Sequence, residues 1–175
     1  KIGIIKLPSI SNFSDFDPLE NEDSIEIEWV IKSQSLNQFD FVILPGSKQT
    51  IKDQLFLDES GLSDNIREYS NQGHIIGICG GLQMLGTTLE DPFLKEGSTS
   101  SENQKIKGIG LLPLRTTFFE KKITRQISSE SFWPCQSKIN GFEIHNGQTE
   151  LDNTQKSLKI NPIFKDLNLG WYKEN

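Results

Sequence analysis

The segment Gly77-Ile78-Cys79-Gly80-Gly81 constrains this chain more than any other. It joins an apolar run suited to a strand (HIIGI) to a run suited to a helix (LQMLG), and a thiol framed by glycines at such a switch has the pattern of a nucleophile elbow. The sharp bend lifts the side chain out of the sheet. Glycines remove Cβ atoms that would clash there, and the helix start turns N–H groups and its positive dipole end towards the sulfur. That setting is expected to lower the thiol pKa and raise the thiolate fraction. The Gly80 N–H can stabilise the oxyanion formed when a thiolate attacks an amide, with a second donor expected from the turn at Gly46-Ser47. An isolated cysteine is most often a buried structural residue, but the glycine flanks and the strand-to-helix switch reverse that reading for Cys79. Cys135, in the polar WPCQS segment, has neither feature and is read as structural or incidental.

The rest of the chain supplies the frame for that bend. Residues 2–7 (IGIIKL) suit a strand buried on both faces, as central parallel strands are. SIEIEWVIK (residues 24–32) alternates apolar and charged residues with period two, as a strand nearer the sheet edge does. A third run, FDFVIL, ends at Pro45-Gly46-Ser47, where glycine permits a tight turn and close approach to a ligand. A polar helix is predicted from Gln49 to Gln72, broken near Gly61. Strands alternating with helices indicate a doubly wound, mostly parallel α/β sheet of the flavodoxin-like kind. In such sheets ligands sit at the carboxyl ends of the strands, where the Pro45-Gly46-Ser47 and Cys79-Gly80-Gly81 turns share one crevice. Residues 96–107, rich in Ser, Lys and Asn, read as a mobile loop. From GIGLLPL onward, strands joined by short polar turns are expected, with GFEIHNGQT as one strand and turn.

Length and charge narrow the function classes. A chain of 175 residues suits one domain. Its 18 Lys+Arg against 24 Asp+Glu give a net charge of -6 with no basic stripe, which argues against nucleic acid. The apolar runs are far shorter than the ~20 residues of a membrane span. Neither a metal clip nor a disulfide framework is expected from Cys79 and Cys135, and a reducing cytoplasm is the expected setting. The first residue is Lys1, which enters an apolar run at once, so the sequence reads as part of something longer. No G-x-x-x-x-G-K-[ST] string offers a phosphate cradle.

Five strings carry a resemblance: PSISNFSDFDPL (8–19), LPGSKQTIKD (44–53), GICGGLQMLG (77–86), GIGLLPLRT (108–116) and GFEIHNGQT (141–149). In order and spacing they are similar to the motifs of the glutaminase domain of the cobyric acid synthase family, a class I-type glutamine amidotransferase. The resemblance implies a domain over residues 1–175 that hydrolyses L-glutamine through Cys79. Its ammonia would serve ATP-dependent amidation of corrin carboxylates in cobalamin biosynthesis. ATP, Mg²⁺ and the corrin acceptor would belong to a synthetase domain preceding Lys1, leaving no cofactor here. Gln83 matches the position at which class I amidotransferases bind substrate glutamine, and spacing of i and i+4 puts it on the helix face below Cys79.

A thiol nucleophile normally needs a histidine to take and return its proton. His74 lies five residues before Cys79 on the same strand, about 16 Å away at ~3.3 Å per residue, and is read as a polar residue at the start of a buried strand. His145 is the other candidate, either as base or as a pocket residue, with Glu143 orienting it or merely occupying a strand face. The resemblance implies instead that the base is the histidine of a Gly-Thr-Tyr-x-His-Gly motif beyond Asn175. It also implies that no carboxylate completes a triad. Two rival readings remain open: a catalytically silent docking or regulatory domain of the same fold, and a cysteine hydrolase built on a similar elbow.

Overall fold

The computed structural model describes residues 1–96, 104–154, 159–165 and 167–174. Four short strands form an all-parallel sheet in the order β2-β1-β3-β4: β1 (Ile2–Ile5), β2 (Ile27–Val30), β3 (Phe41–Leu44) and β4 (His74–Gly77). β1 is flanked on both sides, Ile2 pairing with Ile27 and with Phe41. Its Ile4 and Ile5 are wholly buried, as are Val42 and Leu44 of β3. The charged alternation of β2 belongs at an edge, where one flank meets water. A single turn, α1 (Asp17–Glu20), precedes β2, and Trp29 of β2 receives the Phe16 ring edge-on at 5.5 Å.

The helix predicted over 49–72 is two helices, α2 (Thr50–Glu59) and α3 (Leu62–Tyr69). The break falls at Gly61, whose φ of 78° is a left-handed conformation that glycine takes at little cost. Leu62, Ile66 and Tyr69, spaced at i, i+4 and i+7, form the buried stripe of α3. The Tyr69 hydroxyl donates to the Phe39 carbonyl at 2.8 Å, so the stripe ends in a satisfied polar tip.

Beyond the elbow, α4 (Gly80–Met84) is only five residues long. A second sheet follows in the order β6-β5-β7-β8: β5 (Thr88–Glu90), β6 (Lys105–Lys107), β7 (Leu114–Ser131) and β8 (Ser137–Leu151). The expected loop over 96–107 lies in part outside the described residues, and its end is the strand β6, paired antiparallel with β5. Instead of several short strands, residues 114–151 form one long antiparallel hairpin. GFEIHNGQT lies wholly inside β8, with no turn at Asn146-Gly147. The final segment pairs too: β9 (Asn161–Pro162) lies antiparallel to β10 (Trp171–Tyr172).

β4 departs from the fully buried strand expected of HIIGI. It closes the parallel sheet, pairing with β3 alone among the described residues. His74 is exposed and stacks on Phe41 at 5.2 Å, and Ile76 is 40% exposed. The open flank leaves backbone groups of β4 unpaired, and its alternating burial shows one face of the strand turned to solvent.

Candidate active site

Cys79 follows β4 and is the N-cap of α4, with φ 51° and ψ -109°. A positive φ on a residue with a Cβ is strained, and such strain persists only where the surroundings enforce it. Here the enforcement is visible. Ile78 continues the β4 ladder by donating to Leu44 O at 2.9 Å, Gly81 donates back to Ile78 O at 2.8 Å, and Gln83 donates to Cys79 O at 3.1 Å. The chain therefore leaves the sheet and enters the helix within one residue. Gly81 is required because any Cβ there would overlap the Leu44 carbonyl oxygen.

Cys79 is exposed to solvent, yet the loops beside it displace enough water to push its thiol pKa up. The Gly80 backbone N–H opposes that rise. The Glu96 carboxylate adds to it, and the Lys122 ammonium opposes it. The direction reverses the expectation from the elbow pattern. Desolvation is the largest of these influences, and the helix that follows the elbow is only five residues long.

The turn after β3 is held against the elbow. A Cβ on Gly46 would lie 3.8 Å from the Cys79 Cβ, and one on Gly80 would lie 2.9 Å from the Ser47 nitrogen. The two glycine turns thus share the crevice at the carboxyl ends of β3 and β4. Buried Asp53, absent from the residues singled out by sequence, pins this turn: it accepts from the Ser47 hydroxyl at 2.6 Å and from the Ser9 N–H at 3.1 Å. Ser47 Oγ also accepts from the Gln49 N–H at 2.9 Å. Ser11 donates to Gly46 O at 2.9 Å, and Lys48 to Ser9 O at 2.8 Å, which stitches the 9–11 loop to the turn. The strings PSISNFSDFDPL and LPGSKQTIKD held these residues, but their partnership spans 44 positions and no local pattern announces it.

Gln83 is 7% exposed, one helical turn after Cys79, and its amide nitrogen would be 2.7 Å from a Gly147 Cβ. Gly147 therefore serves close packing rather than a turn. Along the same face of β8 stand His145 and Glu143, their side chains joined from Nε2 to Oε1 at 2.8 Å. Arg125 donates from Nε to Glu143 Oε2 at 2.5 Å. Burial alone would raise the Glu143 pKa, but the bonds from Arg125 and His145 outweigh it and hold the carboxyl below its usual range. His145 Nδ1 is buried with no hydrogen-bond partner among the described residues. His74 is at the far end of β4 from the elbow. Neither histidine hydrogen-bonds Cys79 among the described residues. Cys135 is exposed, and only its carbonyl is engaged, accepting from the Ser131 hydroxyl at 2.8 Å.

Two cavities, of about 470 and 550 Å³, run along Phe41 and His74, and neither is lined by Cys79. The site is marked by the groups that converge on the elbow rather than by these two cavities.

Residues 1–174 match the CobB/CobQ-like glutamine amidotransferase domain. The chain belongs to that family. A cobyric acid synthase of Prochlorococcus marinus (strain MIT 9312) is 83% identical over 176 residues, covering 100% of this chain and 35% of that protein. One from Synechococcus sp. (strain JA-3-3Ab) is 47% identical over 171 residues, covering 98% of this chain and 32% of that one. The chain thus spans about a third of the length of these curated relatives. Among solved structures, one of PurLQS from Thermotoga maritima is similar with a TM-score of 0.63 at 14% identity, covering 99% of this chain and 74% of the other. A glutamine amidotransferase structure gives 0.65 at 17% identity, covering 94% and 79%. The likeness to these structures bears out the flavodoxin-like α/β architecture read from the sequence. No helix among the described residues is long and apolar enough to cross a membrane.

Proposed function

We propose that Cys79 is the nucleophile that releases ammonia from L-glutamine, and that the ammonia serves ATP-dependent amidation of corrin carboxylates in the cytoplasm. The observation that carries this reading is Cys79 itself: exposed at a strained bend at the start of α4, with Gly80 next to it and the Gly46-Ser47 turn beside it. In this mechanism the thiolate attacks the carboxamide carbon, and the Gly80 and Gly46 N–H groups take the oxyanion. The C–N bond breaks as the nitrogen gains a proton, and ammonia leaves. Water then cleaves the thioester to glutamate and restores the thiol. Gln83 and Ser47 border the substrate, and His145, oriented by Glu143, is a pocket residue. The proton acceptor is assigned to a histidine of the longer protein beyond Asn175. ATP, Mg²⁺ and the corrin are assigned to its synthetase domain, which supplies the activated carboxylate. The corrin assignment is supported by the likeness to cobyric acid synthases.

A glutamine-mimicking diazoketone tests the nucleophile. Cys79 is expected to be alkylated, and L-glutamine to protect it. Absence of labelling would mark a silent docking domain, and labelling without protection by glutamine would mark a cysteine hydrolase of other specificity.

A further inference from the structure

A hydrogen-bond donor to a developing oxyanion is effective only if it is already in place when the charge appears, so the turn that carries it has to be rigid beforehand. The turn through Gly46 and Ser47 lies between β3 and α2, outside both. Glycine at position 46 leaves its backbone free. Its rigidity must come from elsewhere in the chain.

The hydrogen bonds of the turn show the source. The Lys48 N–H donates to Ser9 O at 2.8 Å and the Ser11 N–H to Gly46 O at 2.9 Å, which makes Ile10 and Ser47 an isolated antiparallel bridge. The Gln49 N–H is spent on Ser47 Oγ at 2.9 Å. By contrast, the N–H groups of Gly46 and Ser47 donate no hydrogen bond among the described residues. The Ser47 nitrogen is 2.9 Å from where a Cβ on Gly80 would stand, which sets it beside the elbow. Backbone donors rarely stay unspent inside a protein, so these two are available to a ligand.

A bridge of one residue pair holds two loops together weakly. Asp53, in the first turn of α2, closes it. Its side chain is wholly buried and accepts from both loops at once, on Oδ1 from the Ser9 N–H at 3.1 Å and on Oδ2 from the Ser47 hydroxyl at 2.6 Å. Asp53 enters no salt bridge among the described residues. Burial pushes its pKa up, and the bonds from Ser47 and Ser9 oppose the rise. A carboxylate buried without a cation is costly for a fold, and here its compensation comes from the two loops it joins.

We infer that Asp53 is a positioning residue of the reaction: acting through Ser47, it holds the Gly46 and Ser47 N–H groups where the oxyanion over Cys79 forms. This rests on the glutaminase reading above.

The test uses the full-length protein. Asp53→Asn keeps the size of the side chain but accepts at one oxygen only, so one loop is released. For L-glutamine hydrolysis kcat is expected to fall about tenfold to a hundredfold, from the scale of one hydrogen bond to a charged group to that of one oxyanion donor. KM should stay within about threefold, as for an interaction made only in the transition state. L-Glutamate γ-semialdehyde reads the donors directly. The Cys79 thiol adds across its C=O, forming an S–C bond and sending its proton to the oxygen, and nothing leaves. That tetrahedral adduct needs the same N–H groups, so its apparent inhibition constant should rise by the factor by which kcat/KM falls. Iodoacetamide alkylates the sulfur without forming an oxyanion, and its rate should not change. Ser47→Ala should reproduce both shifts, and Asp53→Asn should add little to it, because residues in one chain of bonds are not additive.

An unaltered kcat in Asp53→Asn, a lower kcat with unchanged semialdehyde affinity, or full additivity with Ser47→Ala would each overturn the positioning role while the glutaminase stands. If Asp53→Asn does not fold, Ser47→Ala decides alone: a raised inhibition constant supports the role and an unchanged one overturns it. If the unsubstituted protein does not hydrolyse L-glutamine, both readings fall.

Discussion

At Cys79 the local charges decide how much thiolate the site holds at rest. Desolvation and the Glu96 charge favour the thiol, whereas the Gly80 N–H and Lys122 favour the thiolate. Removing the Glu96 charge in Glu96→Gln should therefore lower the Cys79 pKa and raise the alkylation rate at neutral pH, where thiol predominates. Lys122→Met should move both the other way. The pH profile of iodoacetamide labelling measures this, and an unchanged profile in both variants would disconnect those charges from the sulfur. Cys79, Gly80 and Gln83 were visible in the sequence because an elbow is a local motif. Glu96 and Lys122 were not, because they lie in segments remote from the elbow in the chain.

Elements meet at the site through contacts too close for a side chain. α4 crosses the end of β3 at Gly81, and β8 crosses Gln83 at Gly147. Gly81→Ala has no room to relax, since the obstructing atom is a backbone carbonyl. It should cost at least the 1–3 kcal/mol of an overpacked core, roughly, and displace the elbow. Thermal unfolding together with diazoketone labelling would detect this, and a variant with unchanged midpoint and labelling would refute the crossing. The β1, β2 and β3 strands and the split helix were legible because hydrophobic period and Gly61 are properties of short windows. The hairpin was not, because Asn146-Gly147 has turn composition, and the packing of Gln83, Phe118 and Thr116 around Gly147 explains a glycine inside a strand.

For the whole molecule, the thiol held at rest and the absence of a histidine bonded to it among the described residues bear on turnover. General acid–base catalysis contributes typically about 10²–10⁴-fold. Residues 1–175 alone are therefore expected to hydrolyse L-glutamine slower than the longer protein by about that factor, while Cys79 still labels. Glutaminase assays on the two chains decide it. Equal rates would return the role of base to His145. The open flank of β4 belongs to this scale as well. HIIGI is apolar enough for a central strand, but whether a strand is central depends on which segments flank it, which no window of its own sequence contains.

The sequence by itself determined the α/β class, the alternation of strands and helices, the bend at Cys79 and the family, since each follows from residue order over a few to a few dozen positions. The tertiary structure alone decided which way the thiol pKa moves, that Asp53 fastens the Ser9 and Ser47 loops, and that the Glu96 and Lys122 charges act on the thiol in opposite directions. Those outcomes depend on desolvation and on charges meeting through space. Neither quantity is defined until distant parts of the chain are packed together.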